Sequence, residues 1–275
     1  MQALPSALAV VAAFGLAPAA LRALASGGFV RENYRGKPLP FPLGFLIVPC
    51  ALIALVVCAP LQDLADLDVL RRGTATVLLY GLGVSLLGLV DDVFSPESRG
   101  WRGHGRAVLT GAFSTGALKA VGSLGLALFV LAGRYDQAGR YLLAVAVLVL
   151  ATNLFNLIDL RPGRSTKALV VLGAALTIGT RDAGPLAALG LLAFPAVALG
   201  IYDLRERAML GDTGSNLVGA LAGLWLVLTL STTGLAVSAA VLLGITAYGE
   251  FRSLNALVER APVLKHLDSI GRPHA

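Results

Sequence analysis

Long apolar runs, each near the thickness of a bilayer, alternate along this chain with short charged loops. A helix rises about 1.5 Å per residue, so about 20 mainly apolar residues cross a hydrocarbon core of about 30 Å. Nine segments follow that pattern, near 3–25, 41–60, 73–91, 115–132, 140–157, 165–180, 184–201, 214–231 and 234–251. Glycine and alanine recur within them, which suits close helix packing in lipid. The pattern predicts an all-α fold: a polytopic transmembrane helical bundle of about nine spans, with residues 1–275 as a single integral membrane domain.

Composition agrees. Of 275 residues, 56% are hydrophobic and 14% charged, against about 25% charged in soluble domains. Mean hydropathy is +0.79. So little charge does not cover a globular surface, which excludes an ordinary soluble domain. Residues 1–21 carry no charged side chain, and the first basic residue, Arg22, comes after them. A secretory signal carries its positive charge before its apolar run, so a first spanning helix is expected there. Cys50 and Cys58 share one apolar run and read as small hydrophobes. No disulfide framework or Cys/His metal spacing is present, and the three histidines have no partner at zinc-ligand spacing.

Basic residues give the membrane its sides. Of the 22 Lys and Arg, seventeen fall in or beside the first, third, fifth and seventh loops and the C-terminal tail, and five on the opposite side. Positive loops face the cytoplasm. The N-terminus is therefore expected outside and the C-terminus in the cytoplasm, in an inner (plasma) membrane. The net charge of +6 follows mainly from this topology and also suits an acidic substrate.

The unusual polar residues cluster on that same side. Asp91-Asp92 ends the third span; carboxylates at the edge of an apolar helix are costly and point to function. Two adjacent anions call for a cation, a metal or a nearby lysine. Asn153, Asn156 and Asp159 recur every third residue, within about 120° of one helix face at about 100° per residue, a stripe able to point into the bundle. Gly211-Asp212-Thr213-Gly214-Ser215 opens the eighth span. Its glycines allow close backbone approach to a ligand, and N–H groups at a helix start favour phosphate. Plain capping by Asp212 or Thr213 is the alternative. Oxygen donors of this kind suit Mg²⁺.

In combination and order these motifs resemble the polyprenyl-phosphate N-acetylhexosamine-1-phosphate transferases (glycosyltransferase family 4), which include the phospho-N-acetylmuramoyl-pentapeptide transferases and the undecaprenyl-phosphate N-acetylglucosamine-1-phosphate transferases. LVDD at 89–92, NLFNLID at 153–159, RAMLGDTGS at 207–215 and NYRGKPLP at 33–40 carry the likeness. The resemblance implies that Asp212 is a metal ligand with Asn156 a second, and that Asp91, Asp92 and Lys119 serve transfer, Lys119 as a phosphate-binding lysine. Asn153 and Asp159 would shape the nucleotide-sugar pocket. Lys37, Arg161, Arg164 and Arg207 complete the expected substrate contacts. The implied reaction moves a sugar-1-phosphate from a UDP-sugar, a UDP-N-acetylhexosamine, to polyprenyl phosphate for cell-wall or other envelope glycan synthesis. Mg²⁺ is the expected cofactor, with Mn²⁺ as a substitute. Lipid, nucleotide-sugar and membrane are the expected partners, with room for a homodimer and no nucleic acid.

The chain departs from relatives in three places. The usual DGxDG continuation is replaced by Asp159-Leu160-Arg161-Pro162-Gly163-Arg164, without the second aspartate. The late basic loop is replaced by a tail bearing Arg252, Arg260, Lys265, His266 and Arg272. The span count is lower. A non-catalytic polyprenyl-phosphate-binding protein and a transporter are the competing classes; a transporter would place its polar residues at mid-membrane.

Overall fold

The computed structural model describes residues 2–94 and 114–273. The expected loop with Arg99, Arg102 and Arg106 lies outside the described residues. Among those described are eleven α-helices, and nine coincide with the expected apolar segments. They are α1 (Leu4–Ser26), α2 (Ile47–Asp63), α3 (Thr74–Phe94), α4 (Thr115–Leu131), α5 (Ala138–Ile158), α6 (Arg164–Thr180), α7 (Gly184–Leu204), α8 (Gly211–Thr229) and α9 (Thr232–Phe251). Two short helices follow, α10 (Leu254–Arg260) and α11 (Pro262–Ser269).

Among the described residues, six helices are long and apolar enough to cross a membrane: α1, α2 with its leading 3₁₀ turn Leu43–Leu46, α3, α5, α7 and α9. The other three differ for physical reasons. At 17 residues each, α4 and α6 reach only about 26 Å at 1.5 Å per residue. The helix α8 begins with a polar turn and is enclosed by protein instead of lipid.

That enclosure defines the bundle. From Thr213 to Val227 every residue of α8 is buried. It packs against α3, α5, α6 and α7, and small residues set the distances. A methyl group added at Gly219 would stand 2.8 Å from the Ala151 carbonyl oxygen on α5. In lipid such close van der Waals packing replaces the hydrophobic drive between helices. The two cysteines are free and buried.

The all-α expectation omits one small feature. Strands β1 (Val30–Glu32) and β2 (Pro38–Pro40) pair antiparallel, Val30 opposite Pro40 and Glu32 opposite Pro38. The turn between them is held by Asn33, whose Oδ1 accepts the N–H groups of Arg35 (2.9 Å) and Lys37 (3.0 Å). This Asx geometry is what asparagine side chains favour in turns. Beyond β2 the chain meets the α7–α8 loop. Met209 N–H donates to the Pro40 carbonyl (3.0 Å), and the N–H groups of Leu43 and Gly44 donate to the carbonyls of Met209 and Leu210 (2.8 and 2.9 Å). The first loop and the GDTGS helix start are thereby stitched into one unit.

Candidate functional site

Four helix ends converge where the sequence concentrates its polar residues. Asp91 and Asp92 come from the end of α3, Lys119 from the first turns of α4, Asn156 from the last turn of α5, and Asp212 from the start of α8. The Lys119 ammonium lies 2.6 Å from Asp91 Oδ2 and 2.5 Å from Asp212 Oδ2. Asn156 Nδ2 donates to the same Asp212 oxygen (3.1 Å), and its Oδ1 accepts from Ser215 Oγ (3.0 Å). Two carboxylates thus share one ammonium, and the cluster keeps an excess of negative charge.

The aspartate pair divides its work. Asp91 faces the lysine. Asp92 is 6% exposed and accepts three hydrogen bonds from α8: the N–H groups of Asp212 (2.9 Å) and Thr213 (2.8 Å), and Thr213 Oγ (2.5 Å). A helix start leaves four backbone N–H groups without intrahelical partners. Here two of them are capped by a carboxylate from another helix.

That geometry corrects the reading of GDTGS in two respects. Neither Asp212 nor Thr213 caps its own helix, and those first N–H groups are held by Asp92 instead of being presented to a phosphate. The glycines also serve protein contacts. Gly211 has φ +73°, and a methyl there would meet Pro42 Cβ at 2.6 Å and Asp92 Oδ2 at 2.7 Å. Gly214 packs directly on Gly44. The close backbone approach expected for a ligand is made by the polypeptide itself.

The expected stripe on α5 is also only partly inward. Asn153 is exposed and Asn156 half-buried. The helix ends at Ile158, so Asp159 leaves the helical register and accepts from Ser165 Oγ at the start of α6 (2.6 Å).

The remaining expected substrate contacts already have protein partners or stand in solvent. Lys37 Nζ donates to the Glu206 carbonyl (3.0 Å). Arg161 stacks over Tyr34, 4.1 Å from the ring centre, and donates to Asn255 and Glu259 (both 3.2 Å). Arg164 grips Asp268 with two parallel bonds of 2.8 Å, and Arg272 donates to Oδ1 of the same carboxylate. Arg207 is exposed.

Two acids at this end were not singled out from the sequence. Glu206 is 3% exposed with φ +51° and accepts from Asn33 Nδ2 (3.3 Å) and Tyr34 OH (3.2 Å). Asp203 accepts the Gly163 N–H at 2.6 Å. Their signal was present: acids at the edge of an apolar helix are costly. The arginines between and after them gave the run the look of an ordinary charged loop.

Among the described residues no group of three or more His, Cys, Asp or Glu side chains forms a protein-only metal cage. Mg²⁺ needs none, because it keeps water and phosphate oxygens and takes one or two carboxylates. The surplus negative charge and hard oxygen donors of Asp91 and Asp212 fit such an ion. Asn156 fits less directly, since its amide nitrogen faces Asp212 and the amide must turn over to offer oxygen.

No individual curated protein matches the chain. Residues 74–231, from the start of α3 to just past the end of α8, match the family described as glycosyl transferase family 4. The match covers more than half of the 275 residues and every member of the carboxylate–lysine cluster, and so this membrane-helical chain belongs to glycosyl transferase family 4.

Proposed function

We propose that the protein transfers a sugar-1-phosphate from a UDP-sugar, a UDP-N-acetylhexosamine, to polyprenyl phosphate at the cytoplasmic face of the inner membrane. The nine apolar helices all span in this reading, with the N-terminus outside. The supporting observation is the pair of carboxylates, Asp91 and Asp212, sharing the Lys119 ammonium at the ends of apolar helices. A lipid acceptor keeps its tail in hydrocarbon, so its phosphate reaches only a site built at such ends.

An oxygen of the polyprenyl phosphate attacks the sugar-proximal phosphorus. The bond from that phosphorus to the bridging oxygen breaks, and UMP leaves carrying the oxygen. A polyprenyl-diphospho-sugar forms. Both substrates are anions, so mutual repulsion is a main part of the barrier. Asp212, with Asn156 once its amide turns over, would hold Mg²⁺, which when bound screens the donor diphosphate and the charge developing on it. Lys119 exchanges one carboxylate partner for a phosphate oxygen and so places a cation beside the reacting groups. A phosphate monoester has a second pKa near 6 and is largely a dianion at about pH 7, so no strong base is required. Asp91 orients Lys119 and can take a residual proton. Asp92 holds Asp212 in place through its backbone. Asn153, Asp159, Lys37 and Arg207 form the surrounding donor side in this reading, while Arg161 and Arg164 hold the tail beside it.

The test is a donor screen with purified protein, undecaprenyl phosphate and Mg²⁺, following UMP release and the lipid product. One UDP-N-acetylhexosamine should give both, EDTA should stop them, and Mg²⁺ or Mn²⁺ should restore them. Release of no UMP from any UDP-sugar by folded protein would refute the reading.

A further inference from the structure

The tail helix α11 is amphipathic and is held with its apolar side outward. At about 100° per residue, Val263, Leu264 and Leu267 fall within about 100° of arc, while Lys265, His266 and Ser269 occupy the opposite side. The apolar side chains are not covered: Val263 is 71% exposed, Leu264 44%, Leu267 49%, and Ile270, just past the helix end, 49%. This exposure is not looseness. Asp268 is gripped by Arg164 and Arg272, and Lys167 Nζ donates to the carbonyls of Leu267 (3.0 Å), Asp268 (2.5 Å) and Ile270 (3.3 Å). The helix is pinned along one edge, and the pinning fixes which way its apolar stripe looks.

The stripe runs into the outer surface of the bundle. Leu264, Leu267 and Ile270 line a groove of about 510 Å³ together with Val170 and Val171 of α6 and Val197 of α7. A second apolar groove of about 370 Å³ shares Val170 and Val197 and continues along the same two helices past Ile178 and Phe194. Because α7 is long and apolar enough to cross a membrane, this continuous surface is one that acyl chains meet. The tail that carries the stripe also exposes Arg252, Arg260 and Lys265, along with the acids Glu250 and Glu259, of which Glu259 is paired with Arg161. Exposed apolar side chains beside basic ones are the pattern of a helix lying in the headgroup boundary, with each basic residue attracted to anionic lipid.

We propose that α11 is an interfacial helix, seated among the acyl chains of the adjoining leaflet by Val263, Leu264, Leu267 and Ile270, with Arg260 and Lys265 against anionic phospholipid headgroups. The inference rests on the bundle spanning a membrane and is independent of the transfer reaction.

Full-length protein with Val263→Cys, Ser269→Cys or Val56→Cys is labelled in detergent with an environment-sensitive fluorophore and placed in phosphatidylcholine nanodiscs, with or without phosphatidylglycerol. Cys50 and Cys58 are buried, so the parent protein measures background. The probe at 263 should shift to the blue and lose most of its emission to a nitroxide on the upper acyl chain. The probe at 269 should respond to aqueous iodide instead. Phosphatidylglycerol should increase lipid quenching at 263, and Arg260→Glu with Lys265→Glu should abolish that increase. Iodide quenching at both tail positions would overturn the proposal, as would shielding of 263 from both quenchers, the signature of a protein partner or a second copy. Insensitivity to phosphatidylglycerol would overturn the anionic-headgroup assignment. Val56 on α2 is 73% exposed and should be quenched by the nitroxide regardless of α11; its failure would instead overturn the spanning reading.

Discussion

At one end of the bundle stand two charged clusters built on opposite plans. In the first, Asp91 and Asp212 share Lys119, and the surplus charge is negative. In the second, Arg164 and Arg272 share Asp268, and the surplus is positive. The first is the more open: the Asp212 side chain is 31% exposed and Lys119 20%, against 9% for Arg164 and 11% for Asp268. The chemistry differs as well. Lysine is a flexible point charge that exchanges partners easily, whereas the arginine fork matches a carboxylate in a fixed bidentate geometry. A cluster that is open, anionic and held by an exchangeable cation is suited to receive a ligand. A closed cluster with one bidentate fork and a second arginine bond is suited to hold a segment in place.

The largest effect should come from the first cluster. Asp212→Asn keeps the size of the side chain and removes its charge. Transfer should fall about 100-fold or more, the usual cost of losing a charge-stabilising group at a reacting centre, while the thermal melt in detergent stays close to that of the parent. Near-normal transfer by a folded Asp212→Asn variant would remove the distinction between the clusters. Lys119→Met should behave alike.

Next comes the residue behind that cluster. Asp92→Ala strands two N–H groups of α8, each costing about 1–3 kcal/mol when buried without a partner. Its melt should therefore drop clearly, while Asp91→Ala should impair turnover with a smaller drop. Equal melting of the two variants would show that Asp92 is no more structural than its neighbour.

In the second cluster, Arg164→Ala removes charge-assisted hydrogen bonds worth about 1.5–3 kcal/mol, although Arg272 still holds Asp268. Limited proteolysis should cut the tail beyond Phe251 faster, with only a modest change in KM for the donor. A rise in that KM comparable with the Asp212→Asn loss would assign the guanidinium to the donor pocket, as the sequence alone suggests.

The smallest effect concerns pH. Burial works to raise the Asp268 carboxyl, but hydrogen bonds and charge from Arg164 and Arg272 outweigh it and hold the pKa at about 2, below the ordinary 3.8. A depressed folded value means that this contribution to docking is complete above the ordinary value and is lost as pH falls through about 2. A spin-label distance from α11 to α6 should stay constant from neutral pH down to that window and lengthen within it. Lengthening near neutral pH would exclude Asp268 as the group that docks the tail.

The apolar periodicity located nine helices because each is a long stretch that local composition dictates. It missed the ribbon at 30–40, whose strands of three residues each are too short for alternation to register. Asp91, Asn156 and Asp212 stand out in the sequence because a charge or amide in an apolar setting is unusual in itself, whereas Lys119 is pointed to only by the family resemblance. Neither signal separates Asp92 from Asp91, since which of two neighbours turns inward depends on a helix 120 residues away. Arg161 and Arg164 were read toward substrate for a similar reason. Their partners, Asn255, Glu259 and Asp268, lie about a hundred residues later, and no local pattern announces that the tail returns to them.

The bond between Asp92 and the start of α8 makes a rigid gauge of two distant stretches of chain. Asp91 is covalently next to the carboxylate that grips Asp212 by its own N–H, so the gap between those side chains has little freedom to widen unless that grip opens. Asn156 is tied to the gauge, because α5 packs closely on α8 and the amide bonds Ser215 and Asp212. Lys119 sits on α4, which packs on α3 and α5, so breathing that admits a bulky lipid phosphate falls first to α4, which moves its cation against a fixed pair of jaws.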